Sequence, residues 1–440
     1  MMKSLRVSVA IVAITALSAC GTFKGGGRKT PTLGDRVPIL VSENGAEPDK
    51  TIADVQVLLP PPAVNDAWTQ PGGDPSKSMG HLALGDGTTK VWSVGIKGGT
   101  TKVRLGASPV VANNRLFVID VDAVVHAFAA DTGAALWQSP ITESKENRQA
   151  RFGGGVSFDD GKLYAIDGLG DVVALDAADG KILWRQKPGG PLRGAPSVAN
   201  GSVYLLSQDN QLFALSQTDG KVEWTQSGSL ESQGVFGVAA PAVGRGTVVA
   251  GFSSGELNAY RYENGRTLWQ DTLSKTSIST SVSSLADIDA NPVIDQTRVY
   301  AVGQGGRMVA LELTTGQRLW EQNIAGISTP WIAGEWLFVV TDDGKLLCLS
   351  RANGKIRWMS VLGNFKNMKK KKNPIYWTGP VLAGGKLILV NSIGEIVSVS
   401  PTTGEINDRR KAGAPFSLGP VVVNNMLYVL DGKGRITAYR

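Results

Sequence analysis

The sequence predicts an all-β chain folded as an eight-bladed β-propeller, and three observations predict it. A Gly-x-x-x-Trp motif recurs at Gly133 to Trp137, Gly180 to Trp184, Gly220 to Trp224, Gly265 to Trp269, Gly316 to Trp320 and Gly354 to Trp358. Successive Trp-type positions lie 38 to 51 residues apart, which suits one four-stranded blade per repeat and not a helical solenoid. The 54 glycines against 19% charged residues indicate many tight turns rather than long surface helices.

The N-terminus comes first in chain order. Lys3 and Arg6 precede an apolar stretch, Val7 to Leu17, too short to span a bilayer and with the charged-then-apolar order of a secretory signal. The stretch ends in Leu17-Ser18-Ala19-Cys20-Gly21, which resembles the lipobox of bacterial lipoproteins. That resemblance implies cleavage of residues 1–19, acylation of Cys20 and, with no Asp after the cysteine, transfer to the outer membrane. Several acyl chains on one terminus anchor stably, at roughly 0.8 kcal/mol per buried methylene. Residues 20–50, rich in Gly, Lys, Thr and Pro, are expected to form the lipidated flexible tether, and 51–440 the propeller. The stretch from Pro60-Pro61-Pro62 to Met79 reads as an irregular lead-in.

The repeats follow. In the unit from Ser108 to Trp137, four β-prone runs are expected: Pro109 to Ala112, Leu116 to Asp120, Val124 to Ala129 and Ala134 to Gln138. Pro opens the first strand at Pro109, Pro196, Pro241, Pro292, Pro330, Pro380 and Pro420, a position where its missing N–H is tolerated. A small residue holds one slot of the third strand: Ala127, Ala174, Ala214, Ala259, Ala310, Cys348, Ser398 and Ala438. Cys348 is therefore a packing residue. Each motif Gly takes a positive φ in its turn, and each Trp is expected to pack across the seam to the next blade with its indole N–H on a backbone carbonyl. A seventh copy, Thr402-Thr403-Gly404, has Asp408 in place of Trp. First-to-third strand sets begin near residues 107, 154, 195, 240, 291, 329, 379 and 419, and the last ends at Arg440 without a fourth strand. The strand around Trp92 fits that vacancy, so an N-terminal strand completes the C-terminal blade and closes the ring.

Composition limits the function classes. The formal charge of +7 is scattered apart from Lys369 to Lys372, and no stripe of basic and aromatic residues accompanies that run, so no nucleic-acid partner is expected. His81 and His126 read as surface or turn residues. No triad, metal cluster or phosphate loop is legible, and glycine triplets such as Gly153 to Gly155 lack the lysine and helix of a phosphate site. No catalytic residue, metal or cofactor is expected. Asp287 and Asp289 form a spaced acidic pair ahead of a first strand, pointing the same way by alternation. Three roles fit such a pair, calcium binding, an acid and base, or surface acceptors for a basic partner, and the lack of further carboxylates nearby favours the last.

The Trp-ended repeat resembles the quinoprotein (PQQ-type) repeat, found in alcohol dehydrogenases and in non-catalytic propellers. With Leu17 to Gly21, the chain length and Leu285-Ala286-Asp287-Ile288-Asp289-Ala290-Asn291-Pro292, roughly residues 50 to 440 resemble the BamB family, lipoproteins of the outer-membrane β-barrel assembly (BAM) machinery. The resemblance implies a scaffold facing the periplasm. Its implied partners are the POTRA domains of BamA, the rest of the BAM complex and unfolded outer-membrane proteins, with the membrane reached through the lipid anchor. It also assigns partner contact to the acidic pair, Asp287 and Asp289, and to a Leu-x-Leu-Arg run one blade earlier. That run falls near Gln233-Gly234-Val235-Phe236, where Val235 and Phe236 supply the apolar character but no arginine follows. Two other classes stay open at this point: another periplasmic protein- or glycan-binding propeller, and a PQQ-dependent dehydrogenase. The latter carries an adjacent cysteine pair and a calcium site, whereas Cys20 and Cys348 stand far apart.

Overall fold

Short β-prone runs divided by Gly, Asn and Asp turns pair with their sequence neighbours, apart from one strand that pairs with the end of the chain, giving eight four-stranded antiparallel sheets. The computed structural model describes residues 46–100, 102–143, 150–230, 239–273 and 287–440, which belong to one compact unit, Gly45–Arg440. Blades 1 to 7 span residues 110–140, 155–186, 192–227, 242–272, 293–322, 331–361 and 377–411. Blade 8 combines residues 421–439 with Lys90–Gly95, whose Trp92 lies opposite Ala438, so the ring closes as the sequence predicts. The first strand of blade 1, Val110–Ala112, is wholly buried, whereas its fourth, Ala135–Pro140, alternates towards solvent. First strands of adjacent blades also touch one another. The first strands therefore line the axis and the fourth form the rim.

The seams follow the expected chemistry. Trp92, Trp137, Trp184, Trp224, Trp269, Trp320 and Trp358 each donate an indole hydrogen bond of 2.7 to 3.2 Å to a carbonyl of the next blade. Each also lies against the motif Gly of that blade: at Gly265 (φ +70°) a Cβ would come within 2.7 Å of the Trp224 ring. Within its own blade each Trp pairs across the ladder with the small third-strand residue, as Ala214 with Trp224 and Cys348 with Trp358. A larger side chain opposite the indole would meet the ring, which accounts for the slot. Burial raises the Cys348 thiol far above its usual range, and it stays unreactive there. Between blades 7 and 8, where Asp408 replaces Trp, the Arg410 guanidinium instead lies 4.8 Å over the Tyr439 ring.

Several expectations need correction. Pro196 and Pro380 lie inside the longer strands Leu192–Ala199 and Trp377–Ala383 rather than at their start. In both, the ladder register shifts next to the proline, so the missing N–H falls at a bulge. The end of the expected tether is docked rather than free: Asp49 N–H donates to the Ile356 carbonyl at 2.8 Å, and its carboxylate lies 3.3 Å from the Lys355 amine. His81 is buried, with Nδ1 2.7 Å from the Pro60 carbonyl and Nε2 accepting from Gly385 N–H at 3.0 Å. His126 is part-buried, 2.9 Å from Asp120 and stacked on Phe128.

The lead-in has an order that its sequence hides. It makes a full lap of one end of the axis, bonding to every blade in turn. Asn65 bonds to Val422 and Asn424 of blade 8, and Trp68 exchanges two backbone hydrogen bonds with Val111 of blade 1, at 2.7 and 2.8 Å. The Thr69 carbonyl accepts from Phe158 N–H of blade 2, and the Gln70 side-chain amide brackets the Val198 backbone of blade 3, at 3.1 Å each way. The Pro75 and Ser76 carbonyls accept from Val243 N–H of blade 4 and Ile294 N–H of blade 5. Trp331 of blade 6 donates its indole N–H to the Gly80 carbonyl, Leu82 bonds to Leu382 of blade 7, and Leu84 returns to Asn425 of blade 8. Apart from the Trp331 indole, these contacts fall at the penultimate residue of the first strands or just past their ends, where irregular chain can satisfy inward backbone groups. The lap defines a cap end of the propeller. The connections between blades lie at the opposite end.

Candidate functional site: the connection end of blades 4 and 5

An antiparallel blade places its second-to-third strand turn at the same end as the connection to the next blade. In six blades that turn is held by a short polar side chain: Asp120, Asp167, Ser207, Thr341, Asn391 or Asp431. Asp120 accepts from Asp122 and Val124 N–H at 2.9 and 3.0 Å, and Asp431 from Lys433 and Arg435 N–H at 2.9 and 3.1 Å. Burial pushes the Asp167 carboxyl up to about 6. Blades 4 and 5 depart from this pattern, with Phe252 and Gly303 at the matching positions, each keeping only the backbone bond, to Glu256 and Arg307.

The acidic segment occupies that gap. Ile288 N–H donates to the Phe252 carbonyl at 3.2 Å, and Gln304 N–H to the Asp287 carbonyl at 2.9 Å, which lays the segment along the seam between blades 4 and 5. The Ile288 side chain is fully buried in the core shared by the two blades. A Cβ on Gly251 would come within 2.4 Å of it, so the glycine there makes room for Ile288. The alternation read from the sequence puts Asp287 and Asp289 on the other side of the segment from Ile288.

Their exposure was misjudged. Asp287 is 1% exposed and Asp289 8%, so neither is an open surface acceptor. A carboxylate is buried only when other groups satisfy it, and both aspartates have partners in the structure. A loop position outside the repeated packing slots suggests solvent exposure; here the turns of blades 4 and 5 lack a closing polar side chain and the segment lies against them instead. Asn291 was missed altogether. Its Oδ1 accepts from Ala240 N–H at 2.7 Å and its own N–H donates to Thr329 Oγ1 at 3.3 Å, joining the entries of blades 4, 5 and 6. The sequence signal was its place directly before Pro292. Val235, Phe236 and Cys20 lie outside the described residues.

At the cap end the axis is occupied by the lap, whose Lys77 is 2% exposed. Its amine donates to Ser197 Oγ at 3.1 Å and reaches Gln70 Oε1 at 3.4 Å. Burial brings the amine down to about 7, against the opposing pull of Asp74. Among the described residues, no group of three or more His, Cys, Asp or Glu side chains could hold a metal ion.

Comparison with known proteins places this geometry. The family model described as outer membrane protein assembly factor BamB matches residues 78–145 and 121–360. Outer membrane protein assembly factor BamB of Escherichia coli strain K12 is 31% identical over 354 residues, covering 79% of this chain and 88% of that protein. The crystal structure of BamB from Moraxella catarrhalis superposes with a TM-score of 0.66 at 19% identity, over 80% of this chain and 99% of that one. A quinohemoprotein alcohol dehydrogenase from Comamonas testosteroni gives 0.65 at 15% identity, over 86% and 81%. At such identities the two structures share the propeller fold with this chain, and the fold alone does not separate an assembly factor from an enzyme.

Proposed function

This chain belongs to the family of outer membrane protein assembly factor BamB, and from that premise we propose that it is a non-catalytic scaffold lipoprotein of the BAM complex. In this reading it is held at the outer membrane by acylated Cys20, faces the periplasm and binds the periplasmic POTRA domains of BamA, assisting the insertion of β-barrel proteins. The observation that carries the reading to a surface is the break in the repeat at blades 4 and 5. Six blades close this turn with a polar side chain, whereas at blades 4 and 5 residues 287 and 288 bond to the turns themselves. In sequence, Val235 and Phe236 fall between the last strand of blade 3, Val222–Ser227, and the first strand of blade 4, Ala242–Gly244. In the proposal, Val235 and Phe236 supply the apolar contact with BamA. Asp287 and Asp289, being buried, act as positioning residues that fix the neighbouring connection rather than as the contact itself.

This division of labour changes the informative mutations. Arginine at either aspartate would bury an unmatched cation and damage the fold, so asparagine, which keeps the shape, is the useful replacement. The test is a titration of the purified periplasmic part of BamA against wild type, Phe236→Ala, and Asp287→Asn with Asp289→Asn, with thermal melting as the folding control. A well-folded Phe236→Ala protein should bind at least tenfold more weakly. Wild-type affinity in both variants would place the contact elsewhere.

A further inference from the structure

The run Lys369 to Lys372 lies on an insertion that no blade requires. Between the last strand of blade 6 and the first of blade 7, Phe365–Asn367 and Lys372–Pro374 form a separate two-stranded hairpin at the connection end. Its base is rigidly held. Ile375 N–H donates to the Asn364 carbonyl at 2.9 Å, Trp377 Nε1–H to the Gly363 carbonyl at 2.7 Å, and the Arg409 guanidinium lies 5.3 Å over the Trp377 ring while donating to the Leu362 carbonyl at 3.0 Å. Its tip is a tight turn, with Lys370 N–H on Asn367 Oδ1 at 3.0 Å and Lys371 at φ +47°.

The tip concentrates charge without compensation. Lys366 and Lys369 to Lys372 all lie within the hairpin, and among the described residues none of them is in an ion pair. Of the carboxylates at this end, Asp343 pairs with Lys345 at 2.8 Å, and Glu395 with Arg409 at 3.3 Å and Lys411 at 4.0 Å, while Asp342 is in no ion pair with the hairpin lysines. Apolar side chains flank the lysines in the open, with Met368 57%, Tyr376 60% and Val361 62% exposed.

We propose that this hairpin is a docking arm for an anionic phospholipid surface. A polybasic cluster is attracted to acidic headgroups, and an exposed Met with a Tyr beside it matches the apolar-to-polar boundary of a bilayer. An acidic protein would satisfy the lysines, yet it gives no account of the apolar side chains standing out beside them. Anchoring through acyl chains at Cys20 alone would leave the propeller free to turn on its tether; a second, electrostatic contact fixes which end meets the membrane. The inference goes beyond the scaffold reading and does not depend on BamA.

The test is co-sedimentation of the processed chain, residues 20–440 with Cys20→Ser so that no acyl chain contributes, with vesicles of phosphatidylethanolamine containing phosphatidylglycerol. At about fivefold per lysine, replacing Lys369 to Lys372 together by Gln should weaken binding by two to three orders of magnitude. Replacing the same four by Arg should preserve it. Binding should also fall as salt is raised, since the lysines are exposed. Both variants should melt with wild type, because the hairpin lies outside the eight sheets. Equal sedimentation with neutral phosphatidylcholine vesicles, or unchanged binding of the Gln variant, would overturn the proposal. So would an acidic polypeptide binding the arm tightly while phosphatidylglycerol vesicles fail to.

Discussion

Lys77 is a cation enclosed by the lap at the cap end, and replacing it should change how the stability of the whole propeller depends on pH. The unfolded chain holds this proton to about 10.5, whereas the folded chain releases it at about 7. Between those values the unfolded state binds more protons, so stability rises with pH, by up to about 1.4 kcal/mol per pH unit. The gap of roughly 3.5 units corresponds to about 5 kcal/mol, a cost present in full below pH 7 and relieved as pH climbs towards 10.5. Lys77→Met keeps the length of the side chain and removes the amine. Its partners are not abandoned: Ser197 Oγ still donates to the Pro241 carbonyl, and Gln70 still brackets Val198. The variant should therefore be more stable than wild type at pH 7, by about 2 to 4 kcal/mol once the lost hydrogen bonds are counted. The difference should shrink steadily towards pH 9.5. Urea unfolding at half-unit steps from pH 6.5 to 9.5 reads this directly, below the range in which the buried tyrosines ionise. Parallel profiles for the two proteins would show that Lys77 is not the buried amine described here.

Two further outcomes are expected. Deleting residues 85–95 removes the strand that pairs with Arg435–Tyr439, exposing an edge and the Trp92 seam, and should lower the melting temperature far more than deleting residues 22–40; equal melting would contradict the closure. Cys20→Ser should move the protein from the membrane pellet to the soluble periplasmic fraction at high salt, and continued pelleting there would sink the expected acylation.

What the sequence disclosed, and what it concealed, divides along repetition. The Trp, its facing Gly and the small residue opposite it occur in nearly every blade because each seam poses the same packing problem, so one reading served seven times. The fourth strand of blade 8 was legible as a vacancy in that series. The lap from Asn65 to Leu84 was not, because its hydrogen bonds run through backbone groups of irregular chain and leave no periodicity; only Trp68 and the buried Gln70 and Lys77 hint at it. For the same reason His81 was taken for a surface residue. At the candidate site, Asp287 and Asp289 were legible as an acidic pair but not as buried residues. Their burial depended on what blades 4 and 5 lack, Phe252 and Gly303 in place of a turn-closing side chain, and that absence shows only when the eight turns are laid side by side.

If this propeller works in β-barrel assembly through BamA as proposed, the native protein should carry BamA with it. The most direct measurement is to solubilise outer membranes gently, capture the native protein, and identify the co-purifying proteins by mass. BamA should be recovered in near-stoichiometric yield from wild type and markedly lost from the Phe236→Ala protein at equal abundance. Recovery of the protein without BamA, from membranes in which BamA is intact, would contradict the proposal.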